Sequence, residues 1–280
     1  AEMSGKAAGL FLPSGTQSNL VALLSHCQRG DEYIVGQQAH TYRYEGGGAA
    51  VLGGIQPQPI TMEPSGELDL DTVEAMIKPD DFHFARTRLL ALENTVHGKV
   101  LSPDYIRQAS EFCEDHNIAL HLDGARLFNA VVKTGCQLSD YTRPVDSVSI
   151  CLSKGLGAPV GSVLLGTREF IDKARRCRKV TGGGMRQAGI LAAAGLYALE
   201  HNIDRLADDH RRAAWLAGQL TGSGYSLTAP QTNMIFLEAE NLPRKALSDW
   251  LEQHHVMADC LGRDHIRLVT HLDISDADME

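Results

Sequence analysis

The sequence predicts an α/β protein in which a mostly parallel sheet lies between helices and a small second domain follows. Short apolar runs with β-branched content, Tyr33 to Val35, Arg88 to Leu92 and Ile118 to Leu122, alternate with longer stretches of helical period. That alternation favours parallel strands joined by crossover helices. Val148, Ile150 and Leu152 also alternate with Ser147, Ser149 and Cys151, the period of a strand, and this strand delivers Lys154 to its carboxyl end. Ligands of open α/β sheets gather at that edge.

Along the chain, Pro13-Ser14-Gly15-Thr16-Gln17-Ser18-Asn19 precedes an apolar helix in which Leu20, Leu23, Leu24 and Cys27 share a face. Gly15 permits a tight turn. The N–H groups of the first helical turn, with the Ser14 and Thr16 hydroxyls, can bind a dianionic phosphate. The same string also serves as an ordinary helix cap, and alone it does not choose between the two. His40 falls in a loop after the strand from Tyr33 to Gly36, beside Thr41, Tyr42 and Tyr44, where an imidazole can stack on a ring, act as a base or simply be solvated. His83, His97 and His271 allow the same readings.

Asp123 ends the strand from Ile118 in the run His121-Leu-Asp-Gly-Ala-Arg126. Its carboxylate can cap a helix, or it can pair with a protonated pyridine nitrogen and keep that ring an electron sink. The run Ser153-Lys154-Gly155-Leu156-Gly157 favours the second use. A Schiff-base lysine needs rigid delivery and small neighbours, and Gly155 and Gly157 are expected to leave room for a planar cofactor. Ala188 to Leu199 should start a long helix whose charged continuation from Asn202 to Leu220 forms a partly exposed connector. Beyond about Tyr225 the pattern changes to short strands and one helix, Arg244 to His254. The expected division is a large domain over 1–206 and a small one over 207–280.

Composition narrows the function classes. A chain of 280 residues can bury a large core without staples, and 43% hydrophobic with 22% charged residues argues against disorder. The formal net charge of −9 supplies no basic stripe for nucleic acid. No apolar run approaches the roughly 20 residues that cross a bilayer, so a membrane partner is not expected. Cys27, Cys113, Cys136, Cys151, Cys177 and Cys260 are scattered without metal-ligand spacing, which reads as reduced thiols in a cytoplasmic protein. The chain opens at Ala1 and closes at Met279-Glu280 in what reads as the start of a helix. A fragment is therefore expected, without its N-terminal segment and with the small domain cut short.

Seven strings together resemble the low-specificity L-threonine aldolase family, among the fold-type I pyridoxal 5'-phosphate (PLP) enzymes of the aspartate aminotransferase superfamily. They are FLPSGTQSN (11–19), AHTYRYEGGGAAVLG (39–53), LENTVHGKV (92–100), HLDGARLFNA (121–130), SICLSKGLGAPVGS (149–162), KVTGGGMRQAGILAAAG (179–195) and IRLVTHLD (266–273). The resemblance implies a mostly parallel seven-stranded sheet between helices with a small C-terminal α+β domain. It implies PLP on Lys154, Asp123 at the pyridine nitrogen, His40 stacked on the ring, and Ser14, Gly15 and Thr16 as phosphate cup. Arg126 and Arg267 match the arginines that bind the substrate carboxylate, His83 a second histidine near the substrate hydroxyl, and Lys179 a lysine reaching a neighbouring subunit's phosphate. Homodimers or homotetramers with shared sites are implied as well, and the family's N-terminal serine, a further carboxylate contact, precedes this chain.

The implied reaction is retro-aldol cleavage of L-threonine, L-allo-threonine and other L-3-hydroxy-α-amino acids to glycine and an aldehyde. His40, His83 or a water that they orient is the base for the hydroxyl proton. An aminotransferase or racemase on the same scaffold, or a non-catalytic PLP-binding relative, are the other readings. The intact Lys154, Asp123 and Arg267 set weighs against the last.

Overall fold

Seven strands form the main sheet: β1 (Ala8–Leu12), β2 (Asp31–Gly36), β3 (Gln56–Ile60), β4 (Arg86–Glu93), β5 (Ala119–Asp123), β6 (Ser147–Cys151) and β7 (Ser162–Gly166), in the order β1-β7-β6-β5-β4-β2-β3. The pairs β2/β3, β2/β4, β4/β5 and β5/β6 are parallel, while β7 runs against both its neighbours. The mostly parallel seven-stranded sheet is thus observed. This computed structural model describes residues 1–222, 226–238, 244–258 and 266–279. Tyr225 and Cys260 lie outside the described residues.

The helices are α1 (Gly15–His26), α2 (His40–Arg43), α3 (Leu70–Met76), α4 (Pro103–Asp115), α5 (Leu127–Thr134), α6 (Leu138–Thr142), α7 (Arg168–Val180), α8 (Gly189–His201), α9 (Leu206–Leu220) and α10 (Arg244–Gln253). They cover both faces of the sheet because its strands carry apolar side chains in both directions. In β4, Leu90 and Leu92 join Ile106 and Ala109 of α4 and Leu127 of α5, whereas Leu89 and Ala91 turn to Leu23 of α1. Val21 and Ala22 of α1 then meet Ile171 and Ala174 of α7 across β1 and β7. Apolar on two sides, α1 is wedged against the sheet, and this fixes where its N-terminus ends.

The face of β5 and β6 that looks onto α1 is polar and buried. Val148 and Ile150 enter the main apolar cluster, while Ser147 and Ser149 point the other way, and the Ser149 hydroxyl shares a 2.9 Å hydrogen bond with that of Ser18. The alternation in the sequence therefore separates two buried faces, one apolar and one hydrogen-bonded.

The expected continuous helix is broken. Helix α8 stops at His201, and Asn202 turns its side chain to donate 2.7 Å to the Leu156 carbonyl in the loop after Lys154. Asn202 caps α8, its N–H bonded to the Ala198 carbonyl, and α9 begins at Leu206, which is fully buried. Ala213 and Ala217 of α9 pack on Ile235, Leu237 and Ile266 of a second, antiparallel sheet, β8 (Ser226–Leu227), β9 (Met234–Glu238) and β10 (Ile266–Val269), ordered β10-β9-β8. Among the described residues, no helix is long and apolar enough to cross a membrane.

Candidate active site

Three elements meet at the carboxyl edge of the main sheet. The first is the N-terminus of α1, where Ser14 caps the helix by accepting 3.1 Å from the Gln17 N–H, and Ser14 and Thr16 are exposed. The N–H groups of a first helical turn have no acceptors within the helix, so this end suits an anion. Gly15 serves close approach: a Cβ there would come to 2.5 Å from Cys151 Sγ at the end of β6. Only glycine lets the helix end sit this close to the strand that leads to Lys154.

The second element is that strand and its exit. Lys154 is half-buried, and its carbonyl accepts 2.8 Å from the Gly157 N–H in a tight turn. Gly155 and Gly157, expected from the sequence to leave room for a cofactor, instead clear side chains of the protein itself. A Cβ at Gly155 would meet Leu206 at 2.8 Å and Asn129 at 3.3 Å, and Gly157 has φ +75° and lies against Leu272. Their smallness lets the lysine loop seat on α5, α9 and the segment after β10. Arg205 adds a hydrogen bond of 3.2 Å to the Gly155 carbonyl and an ion pair with Asp209, whose own carbonyl accepts 2.6 Å from Thr270 just past β10.

The third element is the strand ends of β4 and β5. Asp123, 2% exposed, accepts 2.7 Å from Asn19 Nδ2 at one oxygen and 3.0 Å from the Ala125 N–H at the other. The two bonds fix the direction of the carboxylate. Arg126 precedes α5, and burial together with the nearby Arg267 guanidinium pulls its pKa down to about 10. Arg126 and Arg267 thus bring two guanidinium groups near one another, with the Glu93 and Asp123 carboxylates as opposing charges.

His40 opens α2. Its N–H donates 2.8 Å to Glu93 Oε2 and its Nδ1 lies 2.8 Å from Glu45 Oε1. The hydrogen bond to Glu45 holds the imidazole pKa above its ordinary value. Glu93 ends β4 directly beside Asp123, and burial, then the Asp123 charge, push its carboxyl pKa up to about 7. Glu93, Glu45 and Asn19 received no role from the sequence. Glu93 was findable as the last residue of a strand ending on the same edge as Asp123.

One expected residue is not brought to this edge within the chain. His83 lies three residues before β4, exposed, its Nδ1 2.6 Å from Asp81. The eight-residue strand carries the chain from there to Glu93, on the order of 25 Å away. Within one chain His83 therefore lies apart from this edge, since a parallel strand puts its two ends on opposite edges of the sheet. Lys179 is exposed in the last turn of α7, close to Gly184. That turn is tied to α1 through Gln17, whose Nε2 donates 2.9 Å to the Thr181 carbonyl.

The residues fit PLP on geometry alone: an exposed helix N-terminus for its phosphate, a buried carboxylate for its ring nitrogen and a strand-end lysine for its aldehyde carbon. Such an edge on such a sheet defines a fold-type I PLP-dependent enzyme. The beta-eliminating lyase family model matches residues 1–241. Over 275 residues the chain is 58% identical to the low specificity L-threonine aldolase of Escherichia coli (strain K12), covering 98% of this chain and 82% of that one. Low-specificity L-threonine aldolase 1 of Arabidopsis thaliana is 42% identical over 291 residues, covering 100% of this chain and 81% of that one. Among solved structures, the threonine aldolase of Leishmania major superposes with a TM-score of 0.83 at 23% identity, over 97% of this chain and 81% of that chain, a likeness of fold. The chain belongs to the beta-eliminating lyase family and, within it, to the low-specificity L-threonine aldolases.

Proposed function

We propose that this protein cleaves L-threonine, L-allo-threonine and other L-3-hydroxy-α-amino acids to glycine and an aldehyde, with PLP held by Lys154. The observation that carries the reading is the meeting of Lys154, Asp123, the α1 N-terminus and the Arg126 and Arg267 pair at one sheet edge, in a chain of this family. Bound PLP supplies the electron sink for the pair released when Cα–Cβ breaks. Asp123 would pair with the ring nitrogen, and Ser14, Gly15 and Thr16 would hold the phosphate. Arg126 and Arg267 would grip the substrate carboxylate and so orient the substrate for Cα–Cβ cleavage. With Nδ1 on Glu45, His40 would have Nε2 left to orient a water that takes the hydroxyl proton.

Self-association belongs to the same proposal. Ile190, Leu196 and Tyr197 of α8 are 82%, 60% and 61% exposed, and Phe82, beside His83, is 91% exposed. Apolar surface of this kind suits an interface between copies. A homodimer or homotetramer that laid the His83 loop and Lys179 against a partner's site would give both residues the roles the resemblance implies. His83→Asn should then slow cleavage roughly tenfold with PLP affinity unchanged. Location in the cytoplasm fits the free thiols of Cys27, Cys113, Cys136, Cys151 and Cys177. A division at 206/207 fits Leu206 in the main core and Ala213 in the second one.

Assay of acetaldehyde and glycine from L-threonine, with Lys154→Ala as control, tests the reading. Equal release of both products, abolished by the control, is expected. Accumulation of the cofactor's amine form without acetaldehyde would replace it with transamination.

A further inference from the structure

A single run of hydrogen bonds crosses the buried polar face behind the site. His26 Nε2 lies 2.7 Å from Ser147 Oγ, and Ser147 Oγ lies 2.8 Å from His121 Nδ1. His121 Nε2 lies 3.3 Å from Asn19 Oδ1, and Asn19 Nδ2 donates to Asp123 at 2.7 Å and to Glu45 at 2.9 Å. Glu45 in turn holds His40. We propose that Asn19 is a positioning residue that aims Asp123 at the cofactor's ring nitrogen and ties it to the His40 and Glu45 pair, its amide locked in direction by the His26, Ser147 and His121 chain.

The direction of every link follows from chemistry. Two carboxylates face one end of the Asn19 amide, and only an NH2 group can donate to both, so Oδ1 must face His121. His121 is fully buried, and burial lowers its pKa to about 3, so at neutral pH it carries one ring proton. That proton sits on Nε2, because a lone pair there would oppose the Asn19 oxygen. Nδ1 then accepts from the Ser147 hydroxyl. The Ser147 hydroxyl has then used its one proton, so its oxygen accepts from His26 Nε2–H, the single ring proton of an imidazole whose pKa burial lowers to about 4. Each link donates the same way, and the series ends on two carboxylates. Asparagine is suited to this position because it offers two donors on one atom, one acceptor and a short stem. Leucine matches its size and offers none of these.

Without the amide, Asp123 keeps the Ala125 N–H at one oxygen and loses its partner at the other. Its carboxylate is then less firmly aimed. This inference rests on the assignment of Asp123 to the ring nitrogen, and the experiment separates the two. Dissociation constants of the whole protein are measured for PLP and for its analogue with C–H in place of the ring nitrogen. Asn19→Leu and Asn19→Ala should bind PLP about tenfold more weakly and the analogue as tightly as the parent does. Equal loss for both ligands in both variants would make Asn19 a structural residue only, and no loss for either would make it irrelevant; each result overturns the proposal. Asp123→Asn is the reference. If it discriminates between the ligands and the Asn19 variants do not, the inference alone fails, and if it does not discriminate, the Asp123 assignment fails and takes the inference with it.

Discussion

Replacing Glu93 with Gln should stabilise the cofactor-free protein by an amount that grows with pH. Burial and the neighbouring Asp123 raise the Glu93 carboxyl from 4.5 to about 7. A raised carboxyl favours folding where it is protonated in both states, below pH 4.5, and that benefit is lost as pH climbs through 7. Linkage puts the loss at roughly 1.4 kcal/mol by pH 5.5 and about 3 kcal/mol by pH 8. Glutamine has no proton to lose, and its carbonyl still accepts from the His40 N–H. Urea midpoints at constant slope, taken at both pH values, should therefore show the variant's advantage widening by ~2 kcal/mol between them. An advantage independent of pH would mean that Glu93 ionises like a solvent carboxyl and that the charge balance derived for this edge is wrong.

Relief of like charge predicts a split for Arg126→Met. KM for L-threonine should rise ten- to a hundredfold, roughly the value of a charge-assisted carboxylate contact, while urea unfolding of the cofactor-free variant shows no loss of stability; a loss above about 2 kcal/mol would show that Arg126 is structural. Gly15→Ala drives a methyl toward Cys151 Sγ and should cost about 1–3 kcal/mol by overpacking. Most of that cost should vanish in the Cys151→Ala background, as a double-mutant thermal melt would read.

Much of this edge was legible because its residues obey local rules. The strand ending at Asp123 and the strand leading to Lys154 show their period in the sequence, and Ser14 has the signature of a cap. What escaped depends on partners distant in sequence. Nothing local says that Gly15 must clear Cys151, that Gly155 must clear Leu206, or that Asn202 donates to the Leu156 carbonyl. Glu45, Glu93 and Asn19 escaped for the same reason: a carboxylate or amide gains a role only when the fold supplies its neighbour. His83 shows the converse, since its motif is clear and yet a whole strand separates it from the site in its own chain.

The most direct test is borohydride reduction of the PLP-loaded protein followed by peptide mapping. The cofactor mass should appear on the peptide that contains Lys154 and on no other. Label on Lys179 or another lysine, or none at all, would contradict the assignment on which the proposed chemistry stands.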